Sequence, residues 1–154
     1  MNRLFLLTAL FATALASAQA PKADKPIAMR ELDVEGITAE VIESVRKDGV
    51  LTVRVRLRNT GAKAQKVLLV RGGQSYDAAY LSAKNTKYEL IRDQKGNAVA
   101  TPADGGGWVE PSIKPKATWS WWGKFPAPPQ DVKSYTLYLK VGPPIEDVPI
   151  VDKQ

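Results

Sequence analysis

The regular alternation of apolar and polar side chains over residues 50–58 constrains the fold more than any other feature of the sequence. Every second position is apolar, and the positions between carry one threonine and three arginines (Thr52, Arg54, Arg56, Arg58). Because successive side chains of a β-strand point to opposite faces, this pattern predicts a strand with one buried face and one solvent-facing face.

Short strand-like segments follow one another along the rest of the chain, separated by glycine, proline, asparagine and aspartate. No long segment has helical periodicity, and Asp48-Gly49 is typical of a tight hairpin turn. The further predicted strands cover residues 37–41, 66–70, 80–81, 87–92, 98–100, 118–125, 134–141 and 145–151. The sequence therefore predicts an all-β domain, an immunoglobulin-like two-sheet sandwich of about eight or nine short antiparallel strands. A closed barrel is the alternative.

The first residues have the pattern of a secretory signal peptide. Arg3 precedes a nearly continuous apolar stretch over residues 4–16, and small residues follow at the cleavage positions. This stretch is shorter than the roughly 20 residues of a membrane-spanning helix. We therefore predict a signal peptide over residues 1–18, with cleavage after Ala20 as the alternative, a flexible lead-in over 19–30 and the domain over 31–154. The mature chain would be exported, periplasmic or extracellular, with no transmembrane span.

The sequence contains neither cysteine nor histidine, which excludes several kinds of chemistry. The chain therefore cannot form disulfides, thiol-based active sites, Cys/His metal sites or Ser-His-Asp arrangements. Asp93 and Asn97 lack the further carboxylates of a calcium loop, and the glycines at 105–107 lack the lysine of a phosphate-binding loop. The carboxylates with aromatic neighbours show no catalytic pairing (Asp77, Glu89, Glu110). We therefore predict no enzyme, no cofactor and no metal. The alternative is a metal-independent hydrolase that uses a carboxylate pair or a Ser-Lys couple.

The chain is mildly basic, with 22 Lys and Arg against 16 Asp and Glu. Loss of Arg3 with the signal peptide would leave a formal charge of about +5. The cations are interspersed with acids, so the pattern does not favour nucleic-acid binding. Outside the cytoplasm, such a charge favours weak attraction to anionic envelope polymers or lipid headgroups. The partner that we expect is an envelope protein or an anionic cell-wall polymer, and not a nucleic acid.

Three segments carry a resemblance to a known family. They are the strand end Arg58-Asn59-Thr60-Gly61, the hairpin strand over residues 87–93 with Gly96 after it, and Phe125-Pro126-Ala127-Pro128-Pro129 with Asp147-Val148-Pro149-Ile150 further on. Their order resembles that of small exported bacterial immunoglobulin-like domains, often called telokin-like. The resemblance covers roughly two thirds of the chain and implies the sandwich fold, but it implies no catalytic residues and no particular role.

An aromatic cluster before the proline-rich connector is the strongest candidate for binding. Three of its side chains share one strand face and are predicted to be core (Trp119, Trp121, Phe125). Trp122 points to the opposite, polar face, and Tyr138 is predicted on a neighbouring strand. An exposed pair of Trp122 and Tyr138 would form a platform that stacks on sugar rings. The alternative is that Trp122 packs under the loop over residues 105–108.

Arg54, Arg56 and Arg58 form a basic stripe that suits bidentate contacts with phosphate or carboxylate groups. The alternative is a solvated row that pairs with cross-strand acids such as Glu40. In an immunoglobulin-like sandwich this strand belongs to the sheet opposite the one that carries Trp122. The stripe and the aromatic platform are therefore predicted to be separate.

Two functions follow from these patterns. The first is a non-enzymatic exported interaction domain that contacts another envelope component. The alternative is a carbohydrate- or cell-wall-binding module that uses Trp122 and Tyr138 as its aromatic platform.

Overall fold

Eleven β-strands form the regular structure of the residues that the computed structural model describes, 25–72 and 76–153. They are β1 (Ala28–Glu31), β2 (Ile37–Lys47), β3 (Val50–Asn59), β4 (Gln65–Lys66), β5 (Tyr80–Ala83), β6 (Thr86–Glu89), β7 (Ser112–Ile113), β8 (Thr118–Pro126), β9 (Ser134–Tyr138), β10 (Ile145–Pro149) and β11 (Val151–Asp152). No helix occurs in these two ranges, and hence none that could cross a bilayer. The predicted signal peptide over residues 1–18 lies outside them.

The first sheet has the strand order β1-β2-β3-β8, with antiparallel neighbours. β2 and β3 form the predicted hairpin, and its turn residues Asp48 and Gly49 have φ angles of 50° and 75°. Positive φ at both positions is typical of the type I′ turn, whose twist suits two adjacent strands. The last strand, β11, runs parallel to β2, with Val151 beside Val45. The prediction of purely antiparallel strands is wrong here, because the chain re-enters the first sheet after β10.

The second sheet has the order β10-β9-β5-β6 and is antiparallel throughout. β5 and β6 are joined by a tight turn at Lys84-Asn85, which the sequence analysis did not identify, with φ angles of 46° and 61°. β4 and β7 form a small separate ladder, which a bridge between Val70 and Val109 extends.

The buried faces of the two main sheets contribute to one hydrophobic core. The alternating apolar side chains of β3 are all fully buried, as are residues from β5, β8, β9 and β10 (Leu51, Val53, Val55, Leu57, Leu81, Phe125, Leu137, Val148). Each large side chain stabilises the fold by about 1.5–3 kcal/mol when it is fully buried. The predictions of an all-β fold and of a core position for Trp121 and Phe125 are confirmed, whereas Trp119 is only partly buried and packs against the core.

Strand β1 begins inside the segment predicted as a flexible lead-in. Its residues pair with β2 from Ala28 opposite Val41 to Glu31 opposite Thr38. The lead-in prediction is wrong for residues 28–30, because four residues of an edge strand give too short an alternation to be recognised in the sequence. The remainder of that segment up to residue 24 lies outside the described ranges.

A buried arginine joins three parts of the chain at one end of the first sheet. Arg46, on β2, is 5% exposed. Its Nη1 group donates to the carbonyls of Pro128, Pro129 and Val132 at 3.0, 2.7 and 3.2 Å. Its Nε and Nη2 groups donate to the Asp152 carboxylate at 2.6 and 3.1 Å. These bonds hold the proline-rich connector and β11 against β2.

Two loops each contain a five-residue turn with the same hydrogen-bonding pattern. Asp93 and Asp104 each accept hydrogen bonds through Oδ1 from the main-chain N–H groups two and four residues ahead, at 2.8–2.9 Å. Each loop has a glycine three residues after the aspartate, Gly96 with φ 82° and Gly107 with φ 77°. The first of these turns closes a hairpin in which Arg92 is bridged to Ala98.

Candidate binding surface

The outer face of the first sheet brings the arginine stripe and Trp122 together. β3 and β8 pair along their length, and Arg54 lies directly opposite Trp122. The main-chain N–H and C=O of Trp122 bond to Thr101 on the far side of β8. Arg54 and Trp122 therefore form a non-hydrogen-bonded pair, the kind in which cross-strand side chains lie closer. The prediction that Arg54 and Trp122 belong to opposite sheets is wrong, because β8 pairs with β3 in the first sheet and is not a strand of the second sheet.

The arginine stripe pairs with acids of the adjacent strand. Arg56 Nε donates to Glu40 Oε2 at 2.6 Å, and Arg58 Nε donates to Glu40 Oε1 at 2.7 Å. Arg54 Nε lies 3.3 Å from Glu43 Oε2. The alternative interpretation, a row with cross-strand acid partners, is thus confirmed. The side chain of Arg54 is 52% exposed and that of Arg56 only 11%, so Arg54 is far more accessible to a partner molecule.

Glu40 accepts hydrogen bonds from both Arg56 and Arg58, and it is only 5% exposed. Burial alone would raise the pKa of its carboxyl group. The hydrogen bonds from Arg58 and Arg56 outweigh that effect and hold the pKa below its ordinary value of 4.5. The ionised form of Glu40 therefore stabilises the folded state.

Acid should weaken the fold through Glu40. A carboxyl group whose pKa is lower in the folded state contributes its full stability above pH 4.5, and the contribution is lost as the pH falls through the folded-state value. Glu40→Gln is expected to lower the free energy of unfolding by about 2 kcal/mol at pH 7, because two arginines lose their ionised partner. The difference from the wild type should shrink as the pH falls below 4.5, as measured by urea unfolding across pH. A difference that stays constant with pH would contradict this role, and Glu43→Gln, beside the exposed Arg54, is the matched control.

An apolar edge adjoins the charged ladder on the same face. Three of the four exposed large apolar side chains in the described ranges lie there, with Ile27 39%, Met29 58% and Val151 49% exposed. Met29 lies opposite Glu40, and Val151 lies beside Val45. The half-buried Val45, and Ile42 at the bulge of β2, lie between them. We call these residues the apolar edge (Ile27, Met29, Ile42, Val45, Val151).

A shallow cavity of about 520 Å³ borders the apolar edge at Met29. Its lining includes Met29, Arg30, Glu31 and Pro143. The cavity combines an exposed thioether with charged groups of both signs. It extends the surface that a partner molecule could contact.

Tyr138 lies on the outer face of the second sheet and not beside Trp122. Its ring stacks on that of Tyr80, with centroids 4.4 Å apart and an interplanar angle of 9°. Lys87 of β6, on the other side of β5, places its Nζ 4.7 Å from the Tyr80 centroid. The predicted platform of Trp122 and Tyr138 is wrong, because the two residues lie in different sheets. The strand of Tyr138, β9, pairs with β5 and β10 in the second sheet, whereas β8 belongs to the first sheet.

The carboxylates with aromatic neighbours lie on the surface. Asp77 accepts a hydrogen bond from Arg92 at 3.1 Å, and Glu89 accepts one from Lys87 at 2.8 Å. Glu110 is exposed. These are exposed pairs of the kind that contributes little to stability.

No family model matches this chain, and neither the curated proteins nor the solved structures include a detectable relative. The resemblance to exported immunoglobulin-like domains therefore stays a prediction.

Sequence reasoning missed two parts of this surface. The apolar edge went unrecognised because its residues come from β1, β2 and β11, which meet only through the register of the sheet. The sequence carries only a weak signal here, because Ile27 and Met29 alternate with Ala28 and Arg30 over just four residues, too few to predict a strand. Tyr80, the partner of Tyr138, is likewise defined only by the pairing of β5 with β9.

Proposed function

We propose that this protein is a non-enzymatic exported interaction domain that binds another envelope protein through the outer face of its first sheet. The proposal includes an immunoglobulin-like arrangement of the two main sheets, which their shared core supports. The main support for the proposed function is the apolar edge, because contiguous exposed apolar surface on a protein marks a site of interaction.

The composition of this face suits a protein partner. Interfaces combine an apolar centre with polar surroundings, and tryptophan and arginine supply a large share of their binding energy. The apolar edge lies beside the ladder of Arg54 and Glu43, and Trp122 follows on β8. Export is supported by the signal-peptide pattern over residues 1–18.

An affinity experiment with envelope extract tests the proposal. Immobilised mature protein should retain one or a few envelope proteins, and Met29→Asp should reduce that retention at least roughly tenfold. Because Met29 is 58% exposed but lies opposite Glu40, the uncharged Met29→Ser is tested alongside and should also lose retention, with the melting temperature almost unchanged. The matched control is Ser82→Asp on the outer face of the second sheet, which should bind like the wild type. Equal retention by all of these proteins would contradict the proposal.

A carbohydrate- or cell-wall-binding module is the second candidate, and the stacked pair of Tyr80 and Tyr138 favours it. Both rings are half-exposed and flanked by the hydroxyl-bearing Ser82 and Thr136. The same experiment with insoluble cell-wall material separates the two candidates. Retention that Tyr138→Ala abolishes and Met29→Asp leaves intact would favour the carbohydrate-binding function.

A further inference from the structure

We propose that the partner contacts this face with a polypeptide segment that carries carboxylates next to apolar side chains. This inference rests on the proposed function and specifies the chemistry of its partner. It follows from the order in which charged and apolar side chains occur across the strands of the first sheet.

The cations that remain accessible on this face lie together around Trp122. Arg54 is opposite Trp122 and is 52% exposed, while its carboxylate neighbour Glu43 is 31% exposed. Lys124, two residues along β8 from Trp122, is also exposed and points to the same face. Arg56 and Arg58, in contrast, are engaged by Glu40. Each half of the face has one cation more than it has acids among these side chains, but the cations around Trp122 are the more exposed ones.

Apolar residues flank these cations in the same cross-strand rows. Lys124 lies opposite Thr52, Thr52 opposite Val45, and Val45 beside the exposed Val151. A row from the apolar edge to a cation thus spans four strands. A molecule that lies across it would meet apolar contacts at one end and a positive charge at the other.

This order favours a polypeptide over a polysaccharide. An anionic polysaccharide would satisfy Arg54 and Lys124 but would bring few apolar groups to the apolar edge. An acidic peptide with leucine, phenylalanine or tyrosine side chains satisfies both. A second copy of the chain is a poorer occupant, because a two-fold axis near Trp122 would bring the cations of both copies together.

Binding of defined polymers to the mature protein tests the proposal. The probes are a glutamate–tyrosine copolymer, polyglutamate and polygalacturonate, and binding is followed by calorimetry and by backbone amide shifts. The copolymer should bind most tightly and shift the amides of β2, β3, β8 and β11. Combined Arg54→Glu and Lys124→Glu should weaken its binding by roughly tenfold or more. The matched control, Lys87→Glu on the second sheet, should have no effect.

Met29→Ser separates the apolar contribution from the charge. It should weaken binding of the copolymer roughly fivefold and leave binding of polyglutamate unchanged. Equal affinity for polygalacturonate and the copolymer, with no effect of Met29→Ser, would overturn the proposal in favour of an anionic polysaccharide. Self-association that Arg54→Glu abolishes would overturn it in favour of a second copy, and copolymer shifts confined to the second sheet would also overturn it.

The two proposals fail in distinguishable ways. Retention of an envelope protein that depends on Met29, without binding of the copolymer, would remove the acidic partner and keep the interaction domain. Copolymer binding that depends on Arg54 and Lys124, without retention of any envelope protein, would remove the envelope protein as partner.

Discussion

Replacing Arg46 by methionine is expected to lower the free energy of unfolding by about 3 kcal/mol, because the change removes the charged donor of a buried network. The carbonyls of Pro128, Pro129 and Val132 would lose a donor that now lies 2.7–3.2 Å away. Methionine has a similar length and fills the same space. The decrease in the free energy of unfolding therefore comes from the lost hydrogen bonds more than from lost packing. For a domain of this size the melting temperature should fall by roughly 10 °C, as measured by calorimetry.

Two controls make this result specific. Asp152→Asn changes only the exposed partner of Arg46 and should cost less than Arg46→Met, since the four carbonyl contacts, including that of Nη2 with Gln130, remain. Lys133, whose Nζ lies 3.9 Å from the Asp152 carboxylate and whose side chain is 73% exposed, should tolerate methionine with a change of at most about 0.5 kcal/mol. If Arg46→Met were as stable as Lys133→Met, Arg46 would not join the connector and β11 to β2.

Replacing Asn59 by aspartate should be equally damaging. Asn59 is fully buried, and its Nδ2 donates to the carbonyls of Lys63 and Ile113, both at 2.8 Å. Its Oδ1 accepts from the N–H of Gly61 at 2.9 Å. Aspartate has the same shape but would direct a carboxylate oxygen at two carbonyl oxygens. We expect a loss of about 3 kcal/mol at pH 7, measured by urea unfolding.

The pH dependence of Asn59→Asp gives a further signature. Burial and the two facing carbonyls would raise the pKa of the new carboxyl group in the folded state. A group with a raised folded-state pKa favours the fold when it is protonated, so the penalty should decrease as the pH falls toward 4. Asn85→Asp, at an exposed turn with φ 61°, is the matched control and should change little. A penalty at Asn59 that increases in acid would contradict this explanation.

The alternation within strands made much of the fold predictable. The apolar positions of β3 and the inward face of Trp121 and Phe125 follow from the two-residue period, and the structure buries these side chains. Asp48-Gly49 likewise predicted the long hairpin. These features are local, since a strand of nine or ten residues carries its own face assignment.

The candidate surface was harder to predict because it depends on which strands become neighbours. The sequence separates Arg54 from Trp122 by more than sixty positions, and only the pairing of β3 with β8 makes them adjacent. The parallel pairing of β11 with β2 brings Val151 beside Val45 in the same way. Arg46 breaks the alternation by turning a charged side chain inward, which is stable only because the connector supplies acceptors.

A nuclear Overhauser measurement between Arg54 and Trp122 in the mature protein tests the pairing of β3 with β8, on which the candidate binding surface depends. In a non-hydrogen-bonded antiparallel pair the two Cα atoms lie about 4.5 Å apart, so their Hα protons should give a strong cross-peak. This pairing predicts that cross-peak, together with cross-peaks from the Hα protons of Thr52 and Arg56 to those of their partners on β8, Lys124 and Ser120. A Trp122 Hα that instead contacts β9 residues such as Tyr138, with no cross-peak to Arg54, would contradict it.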